Sequence, residues 1–359
     1  MFTRPSSWLR AGSLLALMVL AGCRAMGPPM IPKDRFDYSR AIADSWKQQT
    51  LLNIVKMRYL DLPIFLDVAS VVSGYQWETS GSLGGTVSSE GAVQGNYLNL
   101  GASGRFTDRP TITYLPKTGD KFLDGMLRPL PPVTIFQMLQ AGYAADFILE
   151  MNLDSLCGLR NRPVILNSKR QADPEFFEVL RLFREIQDAS GFGIRVDPAK
   201  DGRSGLVVYF RHEEFDPEIR AKAVRLRELL RIPAGLNELR LVASPVRGLD
   251  GELTVATRSM LQIMSGLALG VEVPPMHRER KLTPPFPEGV ETAEPLLRVR
   301  SGPEKPADAF AAVKYEDAWF WIANDDWRSK RSFGTIMFLF TMAGGTDQDR
   351  APVITIPAQ

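Results

Sequence analysis

Cysteine and histidine are scarce in this sequence, and long hydrophobic runs are missing. The 359 residues include two cysteines, Cys23 and Cys157, and two histidines, His212 and His277. So few cysteines exclude a scaffold held by disulfides, and the two histidines lie too far apart to form a zinc-binding pair on one helix. The hydrophobic fraction of 45% and the charged fraction of 23% are those of a globular protein rather than a disordered one.

The common catalytic and nucleotide-binding motifs are also missing. The sequence has no phosphate-binding P-loop, no glycine-rich dinucleotide turn, no nucleophile elbow, no HExxH zinc motif and no CxxC pair. These absences favour a protein that is not an enzyme and that holds no cofactor and no metal. A hydrolase whose site matches no motif stays open, and a polar pocket around His212, which precedes Glu213 and Glu214, would indicate one.

Charge is balanced, and the apolar stretch near the N-terminus is short. Lys and Arg total 43 residues against 41 Asp and Glu. The apolar stretch from Ala11 to Ala21 has eleven residues, whereas a bilayer-spanning helix needs ~20. Arg4 and Arg10 precede this stretch, and no acid does. A basic segment followed by a short apolar one predicts a secretory signal peptide.

The end of this stretch, Leu20-Ala21-Gly22-Cys23, resembles the lipobox of bacterial lipoprotein signal peptides. The resemblance implies that residues 1–22 are removed and that Cys23 is acylated, and two or more acyl chains anchor a protein stably to a bilayer. Arg24 follows the cysteine, where an Asp tends to retain Gram-negative lipoproteins in the inner membrane. The resemblance therefore favours the outer membrane. An ordinary signal peptide and an uncleaved anchor are the alternatives.

The predicted mature chain is electrically neutral. Removal of residues 1–22 takes away Arg4 and Arg10 and no acid, which leaves 41 charges of each sign. A neutral body has no electrostatic reason to bind nucleic acid. We therefore expect the lipid bilayer, through Cys23, and other envelope proteins as partners, and a homo-oligomer stays open.

Cys157 has no disulfide partner in its own chain if Cys23 is acylated. It lies in the apolar segment from Leu153 to Leu159. Because free cysteines are among the most buried residues, we expect a buried and unreactive thiol. A reactive or intermolecular thiol is the alternative.

The composition divides the chain into four parts. Residues 1–22 are the predicted signal peptide, and residues 23–36, which contain three prolines, are a predicted lipidated tether. Residues 37–130 hold a helix, predicted from Tyr38 to Leu60, and a Gly/Ser-rich β-hairpin. Residues 131–359 form the main domain, in which the eight prolines of residues 271–306 predict a long surface excursion.

Hydrophobicity alternates along residues 73–115 despite their many Gly and Ser residues. Two stretches with a period of two lie on either side of a turn at Ser89-Glu90-Gly91, which predicts a β-hairpin. The hairpin is interpreted either as a soluble flap or as a membrane-inserting element, because strands of ~9–11 residues with one apolar face can cross a bilayer. In the second case, several subunits would contribute hairpin 75–106 to an outer-membrane pore or secretion channel.

Helix and strand signals alternate in the C-terminal part, in the order αββαβαββα. A single helix is predicted from Pro132 to Met151, with further helix starts at Asp173-Pro174 and Asp216-Pro217 and a cap at Thr257. This order predicts an α+β fold, with helices packed on one face of a mostly antiparallel sheet and the hairpin as an insertion.

A cluster of cations marks the start of the last helix. Asp325 is predicted to cap this helix, and Arg328, Lys330 and Arg331 lie in its first turn. Cations at this position oppose the helix dipole. They are therefore expected to pair with Asp325, Asp326 or Glu316, or to contact an anionic lipid headgroup or a phosphate, as the candidate anion contact of the chain.

Two segments, Arg258 to Pro274 and Tyr315 to Phe340, resemble uncharacterised exported proteins of Gram-negative bacteria. This resemblance carries no catalytic motif, so it adds to the predicted location and not to a mechanism. The sequence therefore predicts an envelope lipoprotein, anchored through Cys23, that has a non-enzymatic role in envelope structure or assembly through protein contacts.

Overall fold

Two compact units are distinguished in the chain. The computed structural model describes residues 30–72, 74–86, 97–164, 170–197, 205–211, 216–233, 235–286 and 294–343. Residues 1–63 and 129–338 form the large unit, and residues 64–128 and 339–359 form the small unit. The helix of the predicted region 37–130 belongs to the large unit, and its strands belong to the small unit.

Helices occur throughout the described residues. In chain order they are α1 Met30–Arg58, α2 Asp120–Leu127, α3 Pro132–Gln140, α4 Ala145–Asn152, α5 Pro174–Asp188, α6 Pro217–Leu230, α7 Met260–Ala268, α8 Pro275–Glu279 and α9 Trp327–Ala343. Because α1 begins at Met30, the last residues of the predicted tether 23–36 are helical. The predicted single helix 132–151 is two helices, since Gly142 turns the chain between α3 and α4 with a φ of 92°.

The strands divide among four sheets. They are β1 Leu66–Val72, β2 Tyr75–Thr86, β3 Tyr97–Asp108, β4 Thr111–Pro116, β5 Leu153–Leu156, β6 Leu159–Arg160, β7 Phe192–Asp197, β8 Gly205–Phe210, β9 Glu238–Ala243, β10 Glu252–Thr257, β11 Arg300–Gly302, β12 Ala311–Tyr315 and β13 Ala318–Ile322. In the small unit, β1 pairs with β4 and β2 pairs with β3, both antiparallel.

The large unit has an α+β fold with a mostly antiparallel sheet, which confirms the predicted class. Its six-stranded sheet has the order β6-β5-β10-β9-β8-β7, in which only β9 and β10 are parallel neighbours among the described residues. A second, antiparallel sheet has the order β11-β13-β12. Helix α3 packs against β7, β9 and β10, and α5 packs between α4 and α6.

Helix α5 shows how the sequence builds this core. Its apolar residues recur every three or four positions, which places them on one face of the helix. The buried residues of this helix are Phe176, Val179, Leu180, Leu182, Phe183 and Ile186. Phe183 meets Phe192 of β7 edge to face, with ring centroids 5.7 Å apart, a favourable geometry for aromatic pairs.

The proline-rich segment 271–306 is not the surface excursion that its composition predicts. Helix α8 and strand β11 lie within it, and Val271, Val273, Leu297 and Val299 are buried. Pro275 is the first residue of α8, a position where the missing N–H of proline leaves no hydrogen bond unmade. The prediction from proline density is therefore wrong at the two ends of the segment. Residues 287–293 lie outside the described chain.

The cap of α7 also differs from the predicted one. Ser259, not Thr257, caps the helix through a capping box, because the Gln262 N–H donates to Ser259 Oγ at 3.2 Å and the Ser259 N–H donates to Gln262 Oε1 at 2.9 Å. Thr257 is the last residue of β10, and its hydroxyl donates to the Leu130 carbonyl.

The aspartates at three other helix starts have different roles. Asp216 caps α6 as predicted, since its carboxylate accepts the Glu218 N–H at 3.1 Å. Asp173 precedes α5 but accepts no capping bond, because its carboxylate binds Arg160 instead. At α9 the cap is Asp326 and not the predicted Asp325, because the Asp326 carboxylate accepts the Ser329 N–H at 3.0 Å.

Candidate functional site

Strands β2 and β3 form a long two-stranded element of the small unit, which we call the ribbon (residues 75–86 and 97–108). Their antiparallel register runs from Tyr75 opposite Asp108 to Thr86 opposite Tyr97. Each strand has 12 residues, and at ~3.4 Å per residue the ribbon is about 40 Å long. The predicted turn at residues 89–91 lies outside the described chain.

Almost all of the ribbon side chains that the structure describes are exposed, and they lie on both faces. Every side chain from Glu78 to Thr86 is exposed, as are Asn99 and residues 101–105, and Leu83 is 75% exposed. Each strand has one neighbour in the sheet, so the outer edges of β2 and β3 form no ladder within the described residues. A two-stranded ribbon is marginally stable in water, and an open edge is a template for pairing with another chain.

Three charged residues lie on the ribbon, of which Glu78 and Arg105 face each other and Asp108 faces Tyr75. Glu78 stands opposite Arg105 in the register, and the hydroxyls of the next polar pair, Ser80 and Ser103, are 2.6 Å apart. Between Glu78 and Arg105 the only charged residue of the sequence is Glu90. Cross-strand pairs of these kinds each stabilise a sheet by about 0.2–1 kcal/mol. The two strands are therefore complementary in sequence as well as in backbone.

The predicted anchor lies outside the described residues. Cys23 and the signal peptide 1–22 precede Met30, where the described chain begins, so acylation of Cys23 stays a prediction. None of the described helices combines the length and the hydrophobicity that crossing a bilayer requires.

Each cation of the candidate anion contact has a partner of its own. Arg328 forms an ion pair with Glu294 at 2.6 Å. Lys330 donates to the Asn324 carbonyl at 3.0 Å. The guanidinium carbon of Arg331 lies 4.0 Å from the centroid of the Phe147 ring. Arg328 and Arg331 also share the ring of Trp327, whose centroid lies 5.7 and 5.4 Å from their guanidinium carbons, and each of the three side chains is held by neighbours on the large unit. The acid that pairs with Arg328 is Glu294, which is not among the predicted partners Asp325, Asp326 and Glu316.

Cys157 is half-buried, whereas the sequence predicts a buried thiol. It occupies the tight turn between β5 and β6 with a φ of 48°, and its N–H donates to the Thr254 carbonyl at 2.8 Å. Burial raises the pKa of its thiol, although hydrogen bonds with Thr254 oppose this shift. A raised pKa keeps the thiolate scarce at neutral pH, so the thiol is a poor nucleophile.

The structure describes one of the two histidines, His277. His212 lies outside the described residues, and so does any pocket around it. His277 is fully buried, and its Nδ1 lies 2.6 Å from the Tyr59 hydroxyl. Burial, partly opposed by the charge of Arg58, raises the pKa of Tyr59 to about 12. The hydroxyl and the ring nitrogen share a hydrogen bond, which ties the end of α1 to α8.

A cleft of about 710 Å³ opens in the large unit, and Arg258 lies in its wall. Arg258 is 4% exposed. Its guanidinium donates to the carbonyls of Glu150, Met151 and Arg162 at 3.0, 3.3 and 2.6 Å. Two of these carbonyls belong to the last turn of α4, where helix carbonyls have no intrahelical partner. Arg258 therefore caps the end of α4.

The other charged groups around Arg258 are also engaged. Arg162 forms an ion pair with Glu150 at 2.9 Å. Burial raises the pKa of Glu150, while Arg162 and Arg258 oppose the shift. Burial lowers the pKa of Arg258 to about 10, with Asp154 and Glu150 opposing it, so the guanidinium remains charged at neutral pH. This arrangement of hydrogen bonds and ion pairs stabilises the wall of the cleft.

Sequence reasoning missed Arg258 and the Tyr59–His277 pair. Tyr59 and His277 are 218 positions apart, and Arg258 is 96 or more positions from the residues whose carbonyls it binds. No local pattern connects residues at such separations. The ribbon, in contrast, is visible in the alternation of residues 75–106.

Neither a metal centre nor a known relative indicates a function. Among the residues that the structure describes, no group of three or more His, Cys, Asp or Glu side chains is placed to hold a metal ion. Comparisons of the chain with protein-family models, with curated proteins and with solved structures find no match. The resemblances to lipoprotein signal peptides and to exported proteins therefore stay predictions.

Proposed function

We propose that this chain is an envelope lipoprotein, anchored through acylated Cys23 in the outer membrane of a Gram-negative bacterium, and that it serves envelope structure or assembly through protein contacts of the ribbon. The role is non-enzymatic. The observation that carries the proposal is a ribbon of 12 paired residues per strand whose described side chains are almost all exposed. A two-stranded element is marginally stable in water, and contacts outside the chain that cover these exposed side chains would stabilise it.

Two exposed leucines give a matched test of the contact role. Leu83 on the ribbon is 75% exposed, and Leu249 on the large unit is 78% exposed. We expect Leu83→Glu to reduce, and Leu249→Glu to preserve, the set of envelope proteins cross-linked to the chain in intact cells. The reason is that a charge is costly at a covered apolar contact and nearly free at an open surface. A set unchanged by Leu83→Glu and by replacement of residues 75–108 with a short turn would contradict the proposal.

The anchor is tested separately. The N-terminal peptide of the native protein should begin at Cys23 and carry the mass of acyl chains. Cys23→Ser should release the protein from the membrane fraction, because the acyl chains supply the binding energy of the anchor. Cys157→Ser is the matched control and should leave the protein membrane-bound. An unmodified thiol at position 23 would show that the anchor does not exist.

A second candidate function is that of a subunit of an outer-membrane pore or secretion channel. It is favoured by the near absence of charge between Glu78 and Arg105, where Glu90 is the only charged residue. Charged side chains are the costliest groups to place against lipid. The purified protein should then make liposomes conduct ions, and Leu83→Glu should lower this conductance. Liposomes that bind the protein without conducting would contradict this candidate.

A further inference from the structure

We propose that the outer edge of β2 pairs with the outer edge of β3 from a second copy of this chain, head to tail, so that ribbons join into one continuous sheet. This inference rests on the proposed function and names its partner. The starting point is that each ribbon strand has one neighbour within the described residues, which leaves a row of backbone N–H and C=O groups on each outer edge. Another β-strand satisfies such a row completely.

The sequence of β3 is already matched to β2. Within one chain the antiparallel register sets Glu78 opposite Arg105 and Ser80 opposite Ser103. A second β3 that approaches the other edge of β2 in the same sense repeats these pairs, so the row through Glu78 alternates in charge across every ribbon. Shifts by an even number of residues keep the same faces together. The complementarity within the chain therefore predicts complementarity between chains.

Head-to-tail pairing of β2 with β3 is favoured over symmetric pairing of β2 with β2, because it leaves fewer strand edges open. If β2 pairs with β2 of another copy, both β3 edges of the dimer remain open, and further growth needs a second kind of contact. Head-to-tail pairing uses one kind of contact throughout, and it leaves no open edge once a ring closes. Anchoring of all copies in one leaflet would raise their effective concentration for this contact.

Pairs of introduced cysteines test the arrangement in the full-length protein. The background is Cys157→Ser, so that the acylated Cys23 is the only other cysteine. Two differently tagged copies are expressed together, one with Ser80→Cys on β2 and the other with Ser103→Cys on β3. These thiols face the same side of the ribbon in the register, and disulfides form in the oxidising envelope. Versions with Ser82→Cys, or with Asn99→Cys or Gly101→Cys, cover even register shifts.

The expected result is a disulfide between the two tagged copies. Its yield should exceed by about tenfold that from Ser80→Cys alone or from Ser80→Cys with Leu249→Cys, since pairing holds the thiols at a high effective concentration. Leu249 is 78% exposed on the large unit and reports random collision. Abundant dimers from Ser80→Cys alone would overturn head-to-tail pairing in favour of β2 with β2. No excess over the Leu249→Cys control for any combination would overturn pairing between copies altogether.

A charge-reversal cycle distinguishes loss of pairing between copies from failure of the ribbon to form. In the same cysteine background, Glu78→Arg should lower the disulfide yield, and Glu78→Arg together with Arg105→Glu should restore it, because the restored pairs lie both within and between copies. A yield unaffected by Glu78→Arg would count against the inferred register. The proposed function is judged independently, since cross-links to other envelope proteins that depend on the ribbon would survive the loss of this inference.

Discussion

At the scale of single residues, arginine side chains hold the irregular segments of the large unit. Arg258 binds three carbonyls around the end of α4, and Arg58 donates to the Pro284 carbonyl at 2.9 Å. A guanidinium has five N–H donors in a fixed fork, so it can satisfy carbonyls that no ladder reaches. A buried carbonyl without a partner would cost about 1–3 kcal/mol. These arginines therefore fix loops where strand pairing cannot.

Asp325 and Asp326 form a natural pair for testing a helix cap. The Asp326 carboxylate accepts the Ser329 N–H at 3.0 Å and the Ser329 hydroxyl at 2.7 Å. Asp325 is exposed, and no side-chain hydrogen bond is found for it among the described residues. We expect Asp326→Ala to lower the free energy of unfolding by about 1 kcal/mol, as loss of a cap does. Asp325→Ala should change it by less than half as much in urea titrations, and equal effects would contradict the assigned cap.

The same cap predicts a dependence on pH. Burial alone would raise the pKa of Asp326, but the bonds from Ser329 and the nearby arginines outweigh it and hold the pKa below its usual range. A carboxylate with a lowered pKa stabilises the fold above its unfolded pKa, and this contribution disappears as the pH falls through the folded pKa. The difference between the native protein and Asp326→Ala should therefore be constant near neutral pH and should shrink below about pH 4.

At the scale of elements, the sequence is informative wherever a periodic pattern and a cap coincide. Asp216-Pro217 predicts the start of α6, and the alternation of residues 75–87 predicts a strand where β2 lies. The break between α3 and α4 is missed, because the apolar spacing continues across Gly142. Serine is a better cap than threonine, and Gln262 completes a capping box with Ser259, whereas Met260 stands three residues after Thr257. The prediction misses this sequence signal for Ser259, and Thr257 instead ends β10, which pairs with β5 and β9.

Gly142 ends α3 in a conformation that other residues adopt at a cost. The Tyr143 N–H donates to the Met138 carbonyl and the Gly142 N–H to the Leu139 carbonyl, both at 3.1 Å, which is the Schellman pattern around a left-handed residue. An added Cβ would meet no atom within 4 Å, so Gly142→Ala tests the backbone alone. We expect it to lower the free energy of unfolding by about 1–2 kcal/mol.

Gly334 in α9 is the control for this substitution. An added Cβ there also meets no atom within 4 Å, and the residue lies inside a regular helix. Gly334→Ala should therefore stabilise the protein by about 0.5–1 kcal/mol, because alanine loses less backbone freedom on folding. Opposite signs for the two substitutions in the same thermal or urea titration are the expected outcome. A stabilising Gly142→Ala would contradict the left-handed turn between α3 and α4.

At the scale of the whole molecule, the strands of the ribbon are easier to predict from the sequence than the long-range contacts of the core. Exposed strands follow their own alternating pattern, because no distant partner imposes a different one, and the alternation predicts strands where β2 and β3 lie. The Tyr59–His277 pair and the Arg258 cap are long-range contacts of the core. They depend on how the six-stranded sheet and the helices are arranged, and the chain order alone does not specify the sheet order β6-β5-β10-β9-β8-β7.

Hydrogen exchange can show whether the ribbon depends on contacts outside its chain. In protein kept monomeric in detergent, the amides of β2 and β3 should exchange far faster than those of β8 and β10, whose central residues are buried. The reason is that elements with few buried contacts open at little free-energy cost, whereas core strands open only with the whole fold. In native membranes, protection should rise in β2 and β3 and stay constant in β8 and β10. Equal protection of β2 and β8 in the monomer would mean that the ribbon is stable alone, and its open edges would then need no partner.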